Sequence, residues 1–357
     1  MAVLRKYLFR EIALSTVFIL AALLALFGLL DLIGELADVG KQNYRLPTAL
    51  AFVALSLPGH VYELMPIAAL IGTLFALGQL SASSEYAVMR VSGVSAAGMV
   101  GMLLRVGTGF AIVTFVFGEF IAPPADQLAQ RLRIKATQNL VAQEFRSGLW
   151  VRDSGNFINV AQVTADAGLR NIKVFEFGDD FRLRAIRHAQ SGEYQGANRW
   201  RLKEVTETNF EDHKVAVRRI AEQEWLSVLS PDILSVLLVV PEQMSVWNLY
   251  QFIRYLQENQ QQTRRHEIAL WTKLSYPFAV WVMMLLALPF THLVARAGNL
   301  GAKIFTGIML GLGFHLVNRL FAHMGLLSGW PPLTAAALPT LSFLAAALFL
   351  LWRIERR

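Results

Sequence analysis

The sequence predicts a polytopic α-helical membrane protein with six transmembrane helices and an all-β domain inserted between spans 3 and 4. Of its 357 residues, 55% are hydrophobic and 17% are charged. The mean hydropathy of +0.43 lies above the balance of an ordinary soluble domain. Six apolar stretches reach the roughly 20 residues that a helix needs to cross a bilayer. They form two groups of three around a long polar segment, which we expect to face water.

Hydropathy places the spans near residues 12–33, 52–80, 98–121, 269–294, 303–324 and 332–352. Six crossings put both termini on one side of the membrane. The short flanks on that side are rich in Lys and Arg, which makes them cytoplasmic, so the polar segment at about 122–268 faces outward. The first span lacks a small-residue cleavage site, and we expect it to remain as an anchor. The basic flank residues are Arg5, Lys6, Arg10, Arg90, Arg296, Lys303, Arg353, Arg356 and Arg357.

Several functional classes find no support in the residues. Cysteine is absent, which excludes disulfides, thiolate metal sites and cysteine nucleophiles. The sequence has no phosphate-binding loop, nucleophile elbow or zinc-protease helix; GNLGAK at 298–303 has the wrong spacing for a phosphate loop. The net charge of +7 comes without the basic and aromatic groove of a nucleic-acid binder. We therefore expect no catalytic residue, metal or cofactor here, and any ATP and Mg must be bound by another chain.

The polar segment has the pattern of an antiparallel β domain. GLWVRDSGNFINVAQV and IKVFEFGDDFRLRAIRHA each contain two strand-like runs around a turn signal, and RWRLKEVTETNF and VAVRRIAEQEWLSV add further strands. Strands at such short spacing are typical of a sandwich, a jelly roll or an open curled sheet. The predicted divisions are 1–121 for spans 1 to 3, 122–243 for the β domain, 244–268 for a connecting helix and 269–357 for spans 4 to 6.

An amphipathic helix is predicted directly before the fourth span. In SVWNLYQFIRYLQENQ, Ser245 is a candidate N-cap. The helix either docks the β domain on the membrane or a partner, or packs beneath that domain. The apolar residues at helical spacing are Val246, Leu249, Tyr250, Ile253 and Leu256.

Ionisable residues inside or beside the spans are candidates for function. One row on the fifth span fits either a proton path or pairing with a neighbouring span. A second set lies mostly near the outer ends of spans, where water reaches a charge, and Arg105 can extend to the inner surface. The row on the fifth span is His315, Asn318, Arg319 and His323. The second set is Asp31, Glu35, Glu63, Arg105 and Glu119.

A short charged segment, SSEYAVMRVSG at 83–93, separates the second and third spans. Ser83 or Ser84 can cap a helix, Glu85 suits its first turn, and Gly93 can end it. A plain loop needs no such caps. A short cytoplasmic helix in this place resembles the coupling helix of ATP-binding-cassette permeases, which inserts into a groove on a separate nucleotide-binding subunit.

The whole chain resembles the LptF/LptG permease family of the lipopolysaccharide export machine. The resemblance rests on SEYAVMRVSG, GLWVRDSGNFINV, MSVWNLYQFIRYL and LWTKLSYPFAVWVMMLLALPF, and the last third is similar to the LptG branch rather than to LptF. It implies two related permeases paired in a Gram-negative inner membrane, each with a periplasmic β-jellyroll-like domain between two sets of three spans. It also implies two copies of an ATPase subunit, LptB, beneath them and a single-span partner, LptC, at their side.

The resemblance implies that this chain forms one half of a cavity, lined by spans 1, 2 and 5, from which lipopolysaccharide passes to a periplasmic bridge toward the outer membrane. Glu85 matches the coupling-helix acid that meets basic groups of the ATPase. The residues expected to complete that contact are Tyr86, Val88, Met89 and Arg90.

The chain departs from the family at the outer end of the first span. Family members often carry Lys there, where lipid phosphates pass, whereas this chain has Asp31, Glu35 and Asp38. We therefore expect other basic groups of this chain, or residues of a partner, to contact the lipid phosphates. The three basic groups on the segment after the third span also fit a solvated face or ordinary headgroup anchoring. The candidates are Lys41, Arg131, Arg133 and Lys135.

Two other functional classes remain open from the sequence. An ion-coupled secondary transporter without an ATPase partner would use His315, Arg319 and Glu63, but the two halves share no obvious sequence similarity. A membrane-anchored assembly or sensor protein would leave the capped cytoplasmic helix without a purpose. A bound ATPase separates the export hypothesis from both.

Overall fold

The computed structural model describes residues 2–41, 43–83, 85–91, 96–137, 148–153, 156–164, 168–178, 182–211, 214–227, 229, 241–295 and 300–356. The helices in this part of the chain are α1 (Ala2–Leu36), α2 (Leu46–Ala82), α3 (Glu85–Val91), α4 (Ala96–Val116), α5 (Ala122–Thr137), α6 (Val246–Glu258), α7 (Arg264–Ala295), α8 (Leu300–Ser328) and α9 (Pro332–Glu355). The strands are β1 (Leu149–Asp153), β2 (Asn156–Val163), β3 (Leu169–Phe177), β4 (Leu183–Gly196), β5 (Arg199–Glu211) and β6 (Lys214–Leu226).

The six predicted spans are confirmed as helices that are long and apolar enough to cross a membrane. Three precede the strands and three follow them, so the β domain is inserted as expected. The segments that meet this criterion are Lys6–Leu36, Leu46–Ala82, Ala97–Arg133, Arg264–Thr291, Ile304–Ser328 and Pro332–Ile354.

The third span is longer than predicted. A π-helical turn at Phe117–Ile121 joins α4 to α5, and the backbone N–H of Ala122 donates to the carbonyl of Phe117. This shift in hydrogen bonding comes directly before Pro123 and Pro124, which have no N–H to donate. The helix therefore continues past the prolines, and residues 122–137, which were predicted to begin the β domain, are a helical extension of the span.

Helices α2 and α7 form the centre of the helical layer. In their most apolar stretches, 78% of the α2 residues and 67% of the α7 residues are buried, against 11% in α1, 17% in α8 and 22% in α9. Helices α1, α5, α7 and α8 pack on α2, and α7 also contacts α4 and α9. The peripheral helices thus leave broad apolar faces uncovered within the described chain.

Helices α1 and α2 meet at backbone distance near their middles. A Cβ atom added to Gly72 would lie 2.5 Å from the Cα of Thr16, closer than any real side chain allows. The glycine therefore permits the two helices to touch. The same pair is held further along by a hydrogen bond of 2.6 Å between His60 Nε2 and Asp31 Oδ2.

The six strands form one antiparallel sheet in the order β1-β2-β3-β4-β5-β6, so each strand pairs with its neighbour in sequence. Its buried face surrounds Trp200, whose Nε1 donates to the carbonyl of Leu229 at 2.6 Å. The predicted first turn is confirmed by the pairing of Asp153 with Asn156. Ser154, Gly155, Asp179 and Asp180, which contribute to two predicted turns, lie outside the described residues.

Helix α6 is amphipathic, with Ser245 as its N-cap. The Ser245 hydroxyl accepts a hydrogen bond from the N–H of Asn248 at 3.1 Å. The prediction was wrong for Tyr250, which is 51% exposed, and missed Phe252, which is buried. Leu249 and Phe252 lie on the buried face of the helix. Successive side chains of a helix differ in direction by about 100°, so Tyr250 points away from the direction of Leu249 and is exposed.

Two ends of the helical layer matter for function. The terminal end contains the start of α1, helix α3 and the end of α9; Leu8, Leu80, Met89 and Leu351 pack together there. The sheet end contains the α1–α2 loop, α5 and α6. These names are kept below.

Candidate functional site

Helix α3 is anchored at the terminal end by one buried side chain. Met89 is 4% exposed and joins the apolar core of the spans with Leu8 and Leu80. A buried side chain positions the helix and is not available to a partner. The expectation that Met89 contributes to the partner contact is therefore corrected.

Three other side chains of α3 are exposed. Val88 and Val91 are 64% and 89% exposed, and Glu85 is also exposed. The spacing of three residues places these side chains on one face of the helix. Oε2 of Glu85 accepts a hydrogen bond of 3.1 Å from the hydroxyl of Tyr7, which ties α3 to α1. The result is a fixed face that is acidic at one end and apolar at the other.

The capping of α3 differs from one of the two possibilities in the sequence. Ser83 ends α2, because its N–H donates to the carbonyl of Gln79 at 2.9 Å and its hydroxyl donates to the carbonyl of Leu80 at 3.3 Å. Ser83 therefore does not start α3. Ser84, Gly93 and the side chains of Tyr86 and Arg90 lie outside the described residues.

At the sheet end, Glu35 near the end of α1 and Asp38 just after it pair with two of the predicted phosphate-binding residues. Asp38 Oδ1 lies 2.6 Å from Lys41 Nζ, and Asp38 Oδ2 lies 3.0 Å from a terminal nitrogen of Arg133. The same guanidinium nitrogen lies 3.5 Å from Oε1 of Glu35. Hydrogen bonds from Lys41 and then Arg133 lower the pKa of Asp38.

Glu35 is held on its other side by Tyr44. The buried Tyr44 hydroxyl donates to Glu35 Oε2 at 2.7 Å. Burial, followed by this bond to a carboxylate, raises the pKa of Tyr44. The two acids that replace the expected basic residues therefore organise a network that fixes Arg133 and Lys41.

The predicted phosphate contacts thus fall into two pairs. Lys41 and Arg133 are engaged with Asp38, and Arg133 also lies over the ring of Phe52 at 5.6 Å from its centroid. Arg131 and Lys135 are exposed on α5. Their spacing of four residues places them on a common face of that helix, available to a ligand.

A polar cavity of about 370 Å³ lies beside this network. Its walls come from α1, α2, α5, α7 and the segment before α6. The ion pair of Asp31 and His60 lies in its wall. Of the other candidates, Glu63 lines the cavity, and the hydroxyl of Tyr276 donates to its backbone carbonyl at 2.6 Å.

Glu119 joins the third span to α6. It lies in the π turn, and its carboxylate accepts hydrogen bonds from the backbone N–H groups of Val246 at 2.8 Å and Trp247 at 3.4 Å. An acid at a helix N-terminus satisfies free N–H groups and the helix dipole. The ammonium of Lys273, from α7, donates to the carbonyl of Met244 just before α6. The sequence suggested a polar role for Glu119 but gave no partner, and Lys273 was missed although a lone lysine in an apolar span is such a signal.

The polar row on the fifth span is not assembled into a relay in the part of the chain that the structure describes. Arg319 and His323 are exposed, and His315 and Asn318 are half-buried. None of these four side chains makes a hydrogen bond or ion pair with another described residue. Arg105 is exposed on α4. The described residues also contain no group of three His, Asp or Glu side chains that could hold a metal ion.

Known proteins match this chain along nearly its whole length. The profile of the family described as lipopolysaccharide export system permease LptF/LptG covers residues 6–353. The chain is 30% identical over 353 residues to the lipopolysaccharide export system permease protein LptG of Escherichia coli (strain K12), covering 98% of each chain. It is 29% identical over 351 residues to the LptG protein of Haemophilus influenzae, again covering 98% of each. These relatives are permeases of a transport system and not enzymes by name. The chain therefore belongs to the LptF/LptG family of lipopolysaccharide export system permeases.

Proposed function

We propose that this chain is an LptG-type permease subunit that extracts lipopolysaccharide from the inner membrane and passes it to a periplasmic bridge toward the outer membrane. Separate LptB-like chains form the ATPase that binds the ATP and Mg and drives this transport. An LptF-like permease forms the other half of the transport cavity, and an LptC-like single-span protein joins at the side. Both termini are cytoplasmic, and the β domain lies in the periplasm.

The observation that carries the coupling to an ATPase is the exposed face of α3. Glu85 and Val88 stand on a helix that is fixed both by burial of Met89 and by the bond from Tyr7. A helix fixed to the spans in this way transmits the movement of a bound partner to them, whereas a free loop would change its own conformation instead. Tyr86 and Arg90 belong to the same proposed contact by their place in the sequence.

Extraction needs such coupling because of the apolar cargo. Each CH₂ of an acyl chain holds the lipid in the bilayer by about 0.8 kcal/mol, so a lipid with several chains does not leave unaided. Helix α1 begins beside α3 and ends at the sheet end, a distance of about 50 Å at 1.5 Å per residue. Motion of α3 therefore reaches the outer surface through one continuous helix.

The lipid phosphates are proposed to meet Arg131 and Lys135 first. Both are exposed on the helical extension beyond the third span. Arg133 and Lys41 support this region through the acids of α1. The ion-coupled alternative has no such support, because no hydrogen bond or ion pair links His315, Arg319 and Glu63 within the described chain.

The test is charge reversal on α3 in the assembled complex. The chain is co-expressed with LptF-like and LptB-like partners, reconstituted in lipid discs, and its ATP hydrolysis is compared for wild type, Glu85→Lys and the control Glu258→Lys. Glu258 is another exposed acid, at the end of α6, where it lies 3.5 Å from Arg254. We expect Glu85→Lys to dissociate or uncouple the ATPase and Glu258→Lys to have no effect. A fully active, intact Glu85→Lys complex contradicts the proposal.

A further inference from the structure

The polar cavity at the sheet end is strongly acidic. Five carboxylate side chains line it, against one lysine and one histidine. The lysine, Lys273, donates to the carbonyl of Met244 and lies 5.7 Å from the centroid of the Tyr62 ring. The histidine, His60, is bonded to Asp31. The five acids are Asp31, Glu35, Glu63, Asp126 and Glu242.

Three of these acids have cationic or hydrogen-bonding partners. Asp31 pairs with His60, and Glu35 is bonded to Tyr44 and lies near Arg133. Glu242 lies 3.7 Å from a nitrogen of Arg265. The remaining two, Glu63 and Asp126, make no side-chain hydrogen bond or ion pair with any described residue.

Of these two acids, Asp126 gives the stronger evidence for a bound ligand. It is only 9% exposed, and it lines the cavity from α5. Its carboxylate lies against Gly59 of α2: a Cβ atom added there would sit 3.4 Å from both oxygens. His60 and Lys273 attract this carboxylate electrostatically, but neither donates a hydrogen bond to it, and a buried carboxylate without a hydrogen-bond donor is unfavourable. The cavity leaves room for such a group beside Asp126.

The side chains that line the cavity indicate the chemistry of the ligand that would fill it. A divalent metal ion is disfavoured, because the described residues offer no cluster of three ligands close enough to hold one. An ammonium suits the site better, since it is compact and carries three donors that can reach separate carboxylates. The ring of Tyr62 adds an aromatic surface to the wall.

We propose that this cavity binds a primary ammonium group, which pairs with Asp126 and Glu63. The cavity opens at the sheet end of the spans, beside the exposed apolar residue Leu30 of α1. The ammonium therefore comes either from a lipid headgroup such as phosphatidylethanolamine or from a small soluble amine. This site is separate from the exposed cations Arg131 and Lys135, and its existence does not depend on the transport activity.

The test measures lipid binding to the delipidated full chain in detergent by native mass spectrometry. Phosphatidylethanolamine and phosphatidylcholine are titrated separately, because a choline headgroup has the same charge but no N–H donor. Free ethanolamine is then used as a competitor. The variants are Asp126→Asn and the control Glu222→Gln, which removes an exposed acid on β6.

We expect wild type and Glu222→Gln to prefer phosphatidylethanolamine, and Asp126→Asn to lose about tenfold in affinity for it, because a charge-assisted hydrogen bond is lost. Competition by millimolar ethanolamine identifies the free amine as a sufficient ligand, and its failure identifies the lipid. Equal binding of the two lipids by wild type, or an unchanged preference in Asp126→Asn, overturns the proposal.

A second measurement separates binding from misfolding. Without ligand, Asp126→Asn is expected to have an equal or higher Tm, because it removes a buried charge that receives no hydrogen bond. Phosphatidylethanolamine is expected to raise the Tm of wild type but not that of Asp126→Asn. A lower Tm of the ligand-free variant would mean that Asp126 has a structural partner and no ligand is needed.

Discussion

Among individual residues, the basic side chains near the third span divide by their contacts. Arg133 supports the buried Glu35 and the half-buried Asp38, whereas Arg131 and Lys135 are exposed. We predict that Arg131→Gln with Lys135→Gln weakens the stimulation of ATP hydrolysis by lipopolysaccharide without changing Tm. Arg133→Gln should instead lower stability by about 1 kcal/mol or less, since the pair is partly exposed. Measuring ATP hydrolysis and Tm for both variants distinguishes the phosphate contact from the structural role. Unchanged stimulation by lipopolysaccharide in the double variant would exclude Arg131 and Lys135 from the phosphate contact.

Asp38 makes stability at the sheet end dependent on pH. Its pKa is lowered from the ordinary value of 3.8 by Lys41 and Arg133. A lowered carboxyl pKa contributes stability that is present above the unfolded value and is lost as pH falls through the folded one. The Tm difference between wild type and Asp38→Asn should therefore be constant from pH 7 to about 5 and shrink below about 4. A difference that grows on acidification contradicts this pairing.

Among the elements, α6 is fastened to the membrane helices at its first turn. Glu119 binds the N–H groups of Val246 and Trp247. Glu119→Gln is predicted to weaken this attachment by about 1 kcal/mol, because a charged acceptor at the positive end of the helix dipole is lost. Hydrogen exchange at these two amides should quicken. The matched control, Glu258→Gln, changes an acid at the opposite end of α6 and should leave their exchange unchanged, and equal exchange in both variants would show that Glu119 does not hold the helix.

The elements also show where the sequence was informative. Hydropathy located all six spans, because an apolar stretch of that length has few other uses. It ended the third span at residue 121, where Pro123 and Pro124 signal a break. The π turn that lets the helix pass these prolines is a change in hydrogen bonding that hydropathy does not contain.

The candidate site was harder to predict for a related reason. Glu85 and Val88 could be found because a capped helix is a local pattern. Arg133 and Asp38 are 95 residues apart, and only the packing of α5 on α2 beside α1 brings them together. In the sequence, the acids at the end of the first span therefore look like a departure from the family. In the structure, these acids pair with basic side chains of the same chain.

For the whole molecule, the unequal burial of the spans indicates where a partner belongs. Helices α1 and α8 both pack on α2, yet few of the residues in their most apolar stretches are buried. We predict that this side faces the second permease and the lipid cavity. Phe18 on α1, Leu316 on α8 and Phe349 on α9 are all well exposed, and the absence of native cysteine allows each to be replaced by one spin-labelled cysteine.

The labels report the partner through their access to oxygen dissolved in the bilayer. Binding of an LptF-like permease should lower oxygen access at positions 18 and 316 and leave it unchanged at position 349. Loss of access at 349 alone would place the partner on the opposite side, against α9.

The contact of Gly72 with Thr16 gives α1 the geometry of a lever. Because the two backbones touch there, this crossing is the natural fulcrum about which α1 can tilt against α2. Tyr7, which holds α3, lies nine residues from Thr16 on one arm, and Asp31 lies fifteen residues away on the other. At 1.5 Å per residue the arms are about 14 Å and about 23 Å long, so a rigid tilt amplifies a displacement at α3 about 1.7-fold at the sheet end and reverses its direction. An inward movement of α3 then moves the other end of α1 outward.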